Sequence, residues 1–116
     1  MISQLSPSDL LDSILHQTVR TQIVAYLVGR GEANFSDLKR VLEISDGNLE
    51  SHLKKLTEAS YVASRKDTSN PRQQTIYTLT KVGQAALRRY TANLQRLLNL
   101  TPEPTAQASP TRRKLA

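Results

Sequence analysis

Two short amphipathic helices joined by a tight corner constrain the fold of this chain more than any other feature. They are predicted within residues 35–61, FSDLKRVLEISDGNLESHLKKLTEASY. Ser36 precedes the first apolar run and is the predicted cap of the first helix, and Ser45 or Asp46 offers a side-chain oxygen to the amides that begin the second. Because apolar residues recur at spacings of three and four, each helix has one face for burial. The apolar positions are Leu38, Val41, Leu42, Leu49, Leu53 and Leu56.

The face of the second helix opposite its leucines is polar. Such a surface suits a helix in a DNA major groove, since short groups permit close approach, an amide can pair with adenine and cations meet phosphates. Gly47 either lets the backbone approach a phosphate or is a turn residue with unusual dihedrals. An ordinary solvated surface is the alternative interpretation of this face. The residues here that we expect to contact DNA are Ser45, Asp46, Gly47, Asn48, Ser51, His52, Lys54 and Lys55.

A β-hairpin with a polar tip is predicted directly after the helix pair. Residues 61–66 and 74–79 alternate as strands do, and the intervening DTSNPR holds turn residues only. A short extended piece at residues 32–35 is expected to pair with the hairpin. Its cations would contact phosphates or enter the minor groove, or else only solubilise the tip. The expected DNA contacts outside the second helix are Ser36, Lys39, Arg65, Lys66, Arg72 and Gln74.

Apolar stripes near both ends of the chain indicate further helices, five in all. A short helix capped by Ser8 is expected to open the chain, a second helical run follows from Thr18, and Thr80 caps the last helix. The last stripe is longer than a small core requires, so we expect it to join two copies about a two-fold axis. Packing only within its own domain is the alternative. The expected dimerisation residues are Leu10, Leu11, Ile14, Leu15, Leu87, Tyr90, Leu94, Leu97 and Leu98.

The segment SDGNLESHLKKLTEASYV, followed by a charged turn and TIYTLTKVGQAAL, resembles the winged helix DNA-binding domain family of small transcriptional regulators of the MarR and ArsR types. The resemblance covers about residues 11–98. It implies a mainly α winged helix-turn-helix fold with a small β-hairpin, duplex DNA as ligand, a homodimer and, more often than not, a repressor. The operator and any small-molecule effector stay undefined. Ser60 stands where relatives usually have glycine, so either a left-handed Ser60 costs about 1 kcal/mol or the helix exit differs.

Length and charge fit one winged-helix domain, residues 1–100, with N- and C-terminal dimerisation helices and a basic tail, residues 101–116. Three prolines and few apolar residues predict that the tail is disordered. The formal charge is +6, but residues 1–80 hold nine cations and nine anions, so the excess lies entirely in residues 81–116. The local placement of cations, rather than the net charge, therefore supports a DNA ligand.

Residue types argue against several other classes of protein. The absence of cysteine rules out disulfides and thiolate metal sites, and two histidines, His16 and His52, are too few for a metal site without carboxylates. No apolar run approaches the ~20 residues of a membrane span, and the N-terminus does not resemble a signal peptide, so we expect a cytoplasmic protein without a cofactor. Nothing indicates an enzyme. A winged helix that binds proteins without contacting DNA is the remaining alternative, and the polar recognition face disfavours it.

Overall fold

The computed structural model describes residues 11–69 and 71–100, which form four helices and a three-stranded antiparallel sheet. The predicted winged helix-turn-helix fold is confirmed, with the helix pair, the hairpin and the last helix in the expected order. The predicted basic tail, residues 101–116, and Leu10 lie outside the described residues. The elements are α1 (Thr18–Arg30), β1 (Glu32–Asn34), α2 (Phe35–Leu42), α3 (Asp46–Glu58), β2 (Val62–Lys66), β3 (Thr75–Leu79) and α4 (Lys81–Leu100).

The sheet has the strand order β1-β3-β2, so β1 adds a third strand to the hairpin of β2 and β3. Ala33 lies opposite Tyr77 in this pairing, which confirms that the extended piece at residues 32–35 pairs with the hairpin. Side chains alternate across a strand. The register therefore places Ala33, Tyr77 and Val62 on the face that meets the core, and Arg65 on the other face.

Side-chain caps fix where the two helices of the central pair begin. Ser45 Oγ accepts a hydrogen bond from the Asn48 amide at 3.2 Å, so α3 starts at the next residue, as predicted. The prediction that Ser36 caps α2 is wrong. Asn34 has that role, and its Oδ1 accepts from the Asp37 amide at 2.7 Å. Asn34 prevails because pairing in β1 already holds its backbone extended, which is the conformation that a capping residue needs.

The exit of α3 depends on a left-handed serine. Ser60 has a φ of 67°. The amides of Ser60 and Tyr61 donate to the carbonyls of Thr57 and Leu56, both at 2.9 Å. These are the two hydrogen bonds of a Schellman motif, in which the left-handed position is usually glycine. The helix exit is therefore the usual one, and Ser60 bears the conformational cost of about 1 kcal/mol.

The segment directly ahead of α1 forms turns, where the sequence predicted the end of an opening helix. Asp12 Oδ1 accepts from the amides of Ile14 (2.7 Å) and Leu15 (3.1 Å). An aspartate that bonds to the backbone two and three residues on favours a turn over a helix. Gln17 then caps α1 through its side chain, so the break before α1 is present. The predicted Ser8 cap lies outside the described residues.

The core lies between the sheet and all four helices, and most of the predicted apolar positions reach it. Val41 does not, because it is 45% exposed. The short helix α2 meets the core along Phe35, Leu38 and Leu42, so its buried face does not include Val41. The side chains of the buried cluster are Leu15, Ile23, Val24, Leu27, Ala33, Leu38, Leu49, Leu53, Leu56, Val62, Ala86 and Tyr90.

Gly83 allows the start of α4 to pass close to the exit of α3. A Cβ at this position would lie 2.3 Å from the Tyr61 carbonyl oxygen and 2.7 Å from Leu79 Cδ1. Thr80 caps α4 as predicted, since its Oγ1 accepts from the Gly83 amide at 2.9 Å and donates to the Ser60 carbonyl at 2.6 Å. Glycine at this position is therefore a packing requirement that joins α4 to the end of α3.

Candidate nucleic-acid interface

The outer side of α3 is polar and exposed over the length of the helix. Leu49, Leu53 and Leu56 are at most 3% exposed and define the inner side. At about 3.6 residues per turn, the residues between them fall on the outer side and on its two flanks. The exposed members of the predicted set on α3 are Asp46, Gly47, Asn48, Ser51, Lys54 and Lys55.

The first turn of α3 is open to approach from outside. Gly47 lies inside the helix and does not have a positive φ, so the interpretation of Gly47 as a turn residue with unusual dihedrals is wrong. A Cβ at Gly47 would meet no atom within 4 Å. Unpaired amides at a helix start attract phosphate. The open space beside Gly47 and the exposed Asn48 leaves these amides accessible to a large ligand.

Two of the predicted cations already form ion pairs at the surface. Lys39 Nζ lies 2.8 Å from Asp46 Oδ1, which joins α2 to the start of α3. Arg65 lies 2.8 Å from Glu32 Oε1, on the outer face of the sheet. All four side chains are about half exposed, and an exposed pair stabilises by only about 0–1 kcal/mol. Either cation can exchange its carboxylate for a phosphate with little loss.

His52 lies on the flank of α3 that faces α1 and is half-buried. Its Nδ1 is 3.2 Å from Arg20 Nη1. Since a guanidinium can only donate, Nδ1 accepts, and the ring is neutral with its proton on Nε2. Burial, followed by the charges of Arg20 and Lys55, lowers the pKa of His52 below its ordinary value of 6.5. In this neutral form Nε2–H is the ring's remaining hydrogen-bond donor.

The turns ahead of α1 contact Arg20 of α1, which in turn holds α3, and they contact Tyr61, the residue before β2. Arg20, which holds His52, also donates from Nε to the Ile14 carbonyl at 2.6 Å. Asp12 accepts from the Tyr61 hydroxyl, and burial followed by this hydrogen bond raises the pKa of Tyr61 to about 12. These contacts fix α3 relative to α1 and the sheet.

A polar cleft of about 270 Å³ lies between the start of α2, α3 and the wing of β2 and β3. Ser36 and Gln74, both predicted as DNA contacts, line it together with Glu50 and Tyr77. Asn34 Nδ2 donates to Gln74 Oε1 at 3.0 Å, so the cap of α2 also holds the residue that precedes β3. The cleft therefore brings the predicted residues of α2 and of the wing onto one surface with α3.

The wing has exposed cations at its end, where Lys66 leaves β2 and Arg72 follows in the turn. Asp67 organises this turn. Its carboxylate accepts from Ser69 Oγ at 2.5 Å and from the Ser69 amide at 3.2 Å, and these hydrogen bonds hold the pKa of Asp67 below its usual range. The carboxylate of Asp67 is therefore anionic and offsets one positive charge at the tip.

The predicted dimerisation residues divide between the protomer's own core and its surface. Leu15 and Tyr90 are at most 9% exposed and belong to the core, and the Tyr90 hydroxyl lies 2.9 Å from His16 Nδ1. They are therefore not available as direct contacts to a second copy. Of the predicted dimerisation residues, those that pack against this core but stay partly exposed are Leu11, Ile14 and Leu87.

The last turns of α4 present apolar side chains to solvent. Leu94 and Leu97 are half-buried, and Leu98 is 60% exposed. Within residues 11–69 and 71–100, none of the three belongs to the buried cluster or to the residues packed against it. Leu94, Leu97 and Leu98 are therefore the part of the predicted apolar stripe that lies outside the described core.

Two structural contributors to the interface were missed by sequence reasoning. Arg20 contacts His52 across 32 residues of sequence, and no local pattern signals such a contact. Asn34 had a local signal, because an asparagine directly before FSDL is a good cap. Among residues 11–69 and 71–100 no group of three or more histidine, cysteine, aspartate or glutamate side chains could hold a metal ion. Within the same ranges, no helix has the length and apolar character needed to cross a membrane.

Comparison with known proteins agrees with this architecture. A family described as a winged helix DNA-binding domain matches residues 19–98. An uncharacterised protein of Methanocaldococcus jannaschii is 40% identical over 77 residues, which make up 66% of this chain and 84% of that protein.

Solved structures share the fold. A transcriptional regulator homologue from Pyrococcus horikoshii OT3 aligns with a TM-score of 0.71 and 29% identity, over 77% of this chain and 88% of that one. A mutant of MarR from E. coli, complexed with operator DNA, aligns with a TM-score of 0.65 and 17% identity, over 80% of this chain and 66% of that one. The chain therefore belongs to the winged helix DNA-binding domain family, and it shares its fold with solved transcription regulators, MarR among them.

Proposed function

We propose that this protein is a homodimeric repressor that binds duplex DNA, with α3 in the major groove and the wing on the neighbouring backbone. The outer side of α3 is the observation that supports this most strongly. It is exposed along its length, it bears short or polar side chains, and it begins at a capped first turn that Gly47 leaves open. A helix of this kind can approach base edges closely, which an ordinary solvated helix does not need to do.

Within α3 we assign different roles to the start and the middle of the helix. The first turns of a recognition helix contact base edges in helix-turn-helix proteins, so Asn48 and Ser51 are the base-reading residues. The side-chain amide of Asn48 can donate to adenine N7 and accept from adenine N6. His52 presents Nε2–H as a donor at the flank. Lys54 and Lys55 neutralise phosphates, which supplies affinity without sequence preference.

The wing and α2 extend this contact along the backbone. Lys66 and Arg72 lie at the end of the hairpin, and Arg65 and Lys39 can exchange their surface carboxylates for phosphates. Ser36 and Gln74 line the cleft between these elements. Asp46 pairs with Lys39 near the start of α3, and this exposed pair would open for either residue to contact DNA.

The end of α4 is the surface that we propose joins two copies. Leu94, Leu97 and Leu98 leave apolar area exposed that the protomer does not bury. A closed two-fold contact there would place two copies of α3 about 34 Å apart, one turn of DNA, so that both enter successive major grooves. Such a dimer represses transcription by occupying the site that polymerase requires. The MarR mutant complexed with operator DNA shows that a protein of this fold binds an operator.

Selection of bound duplexes from a random-sequence pool tests the proposal. We expect enrichment of an inverted repeat whose half-sites lie about one helical turn apart. The affinity for the selected duplex should fall steeply with salt, because bound lysines and arginines release counterions. A pool that shows no enrichment and no salt-dependent binding would refute DNA binding, and enrichment of a single half-site would refute the dimer.

A further inference from the structure

Glu50 is one of three exposed carboxylates on α3, with Asp46 at its start and Glu58 at its end, and it is the one that lies in the base-contacting first half of the helix without an ion-pair partner among the described residues. It is exposed, and it lies on the flank of α3 that faces the wing. It borders both clefts beside the helix, one toward the start of α2 and the other toward Ser64 of β2. Tyr77 lines both clefts, and burial followed by the charge of Glu50 raises the pKa of Tyr77. The carboxylate therefore sits between α3 and the wing.

Glu50 does not stabilise the fold through an ion pair, because no ion pair between described residues includes it. Lys54, one helical turn further on, does not form an ion pair with it. An unpaired carboxylate near the DNA backbone opposes binding, because phosphates repel it. Glu50 therefore opposes DNA binding unless a group on the DNA donates a hydrogen bond to its carboxylate.

We propose that Glu50 determines sequence specificity by accepting a hydrogen bond from cytosine N4 in the major groove, an inference that rests on the proposed DNA-binding function. An ionised carboxylate can only accept hydrogen bonds. Cytosine presents only an amino donor on its major-groove edge, whereas adenine presents its amino donor beside the N7 acceptor, guanine presents two acceptors, and thymine presents an acceptor and a methyl group. The N7 acceptor of adenine would repel the second carboxylate oxygen, so cytosine is the better partner. The residue lies in the first half of α3, the part of a recognition helix that meets base edges.

The same carboxylate also disfavours DNA that lacks a cytosine at the matching position. Guanine or thymine would bring acceptor atoms against it, and non-specific complexes would retain the repulsion without the compensating bond. Glu50 therefore widens the gap between specific and non-specific affinity. Its effect on discrimination against a wrong base should be about 5- to 150-fold, which corresponds to the usual 1–3 kcal/mol for a good base contact.

Parallel selections from a random pool with the full-length wild type, Glu50→Gln and Glu50→Ala test this inference. The wild type should enrich cytosine at one position of each half-site. Glutamine keeps the shape but can donate and accept, so Glu50→Gln should shift that position toward adenine. Glu50→Ala should lose the preference at that position. Both variants should bind unrelated duplexes more tightly than the wild type does, because a negative charge is removed.

Glu58→Gln is the matched control, because it removes the same charge from the exposed last residue of the same helix. It should leave the selected sequence unchanged. Thermal unfolding of the variants confirms that the exposed substitutions do not alter folding. If the wild type selects a site and both Glu50 variants select the same site, the role of Glu50 is refuted while DNA binding stands. If the wild type binds no duplex, the inference and the proposed function are both refuted.

Discussion

Replacing Gly83 with alanine tests the close approach of α4 to the exit of α3. The new Cβ would lie 2.3 Å from the Tyr61 carbonyl oxygen and 2.7 Å from Leu79 Cδ1. The leucine methyl can rotate away, but the carbonyl belongs to the backbone, so α4 must shift. Overpacking typically costs about 1–3 kcal/mol, and a backbone obstacle favours the upper end. Alanine regains at most about 1 kcal/mol of helix propensity, which leaves a net loss of about 2 kcal/mol.

Urea and thermal unfolding, followed by far-UV circular dichroism, measure this loss. For a domain of this size, 2 kcal/mol lowers Tm by about 8–16 °C, and the urea m-value should not change. A Gly83→Ala variant as stable as the wild type would refute the packing of α4 against Tyr61.

Gly47→Ala is the control, because the same substitution there meets no atom within 4 Å. Its free energy of unfolding should be unchanged or higher by up to about 1 kcal/mol. Its affinity for DNA should nevertheless fall, since the added methyl would keep phosphate from the amides at the start of α3. Unaltered DNA affinity would mean that the DNA backbone does not approach Gly47.

Three further outcomes follow from the charges and the apolar surface. Folding lowers the pKa of His52, so the contribution of His52 to stability is complete above the unfolded pKa of 6.5 and is lost as the pH falls through 6.5 toward the lower folded pKa. In urea titrations at several pH values, His52→Gln should flatten this loss of stability. A pH profile identical to that of the wild type would contradict the prediction. Replacing Lys66 and Arg72 with alanine should reduce the salt dependence of DNA binding by up to about two units of slope, and an unchanged slope would exclude contact by the wing. In light scattering, Leu94→Glu should give folded monomers while Arg96→Glu, on the exposed side of α4, stays dimeric, and a wild type that is monomeric at tens of micromolar would refute the dimer.

The elements built from local spacing were predictable from the sequence. The leucines of α3 recur at spacings of four and three, Ser45 and Thr80 stand where capping residues belong, and residues 67–72 allow only a turn. The described residues have the predicted caps and the buried leucines of α3, and residues 67–72 separate β2 from β3. Each depends on interactions within about four residues along the chain, which is the range over which composition and periodicity carry information.

The features that sequence reasoning missed depend on competition or on distance along the chain. Asn34 and Ser36 are both capable caps, and strand pairing decided between them. The stripe at Leu11, Ile14 and Leu15 has helical spacing, but Asp12 bonds to the backbone and holds this segment in turns. The contact between Arg20 and His52 spans 32 residues, and the pairing of Lys39 with Asp46 depends on how α3 packs beside α2, so local spacing indicates neither contact.

The base preference of Asn48→Ala is the measurement that tests the central claim, base reading by α3, most directly. Binding of the wild type and the variant would be compared on the selected duplex and on duplexes changed at each base pair. We expect Asn48→Ala to bind the selected duplex about 5- to 150-fold more weakly, a loss of about 1–3 kcal/mol in binding free energy. The loss should come from one base position of each half-site, and the variant should tolerate any base at that position. Lys55→Ala, in contrast, should weaken all duplexes alike. If Asn48→Ala ranks every duplex as the wild type does, α3 does not read bases through Asn48 and the proposed geometry is wrong.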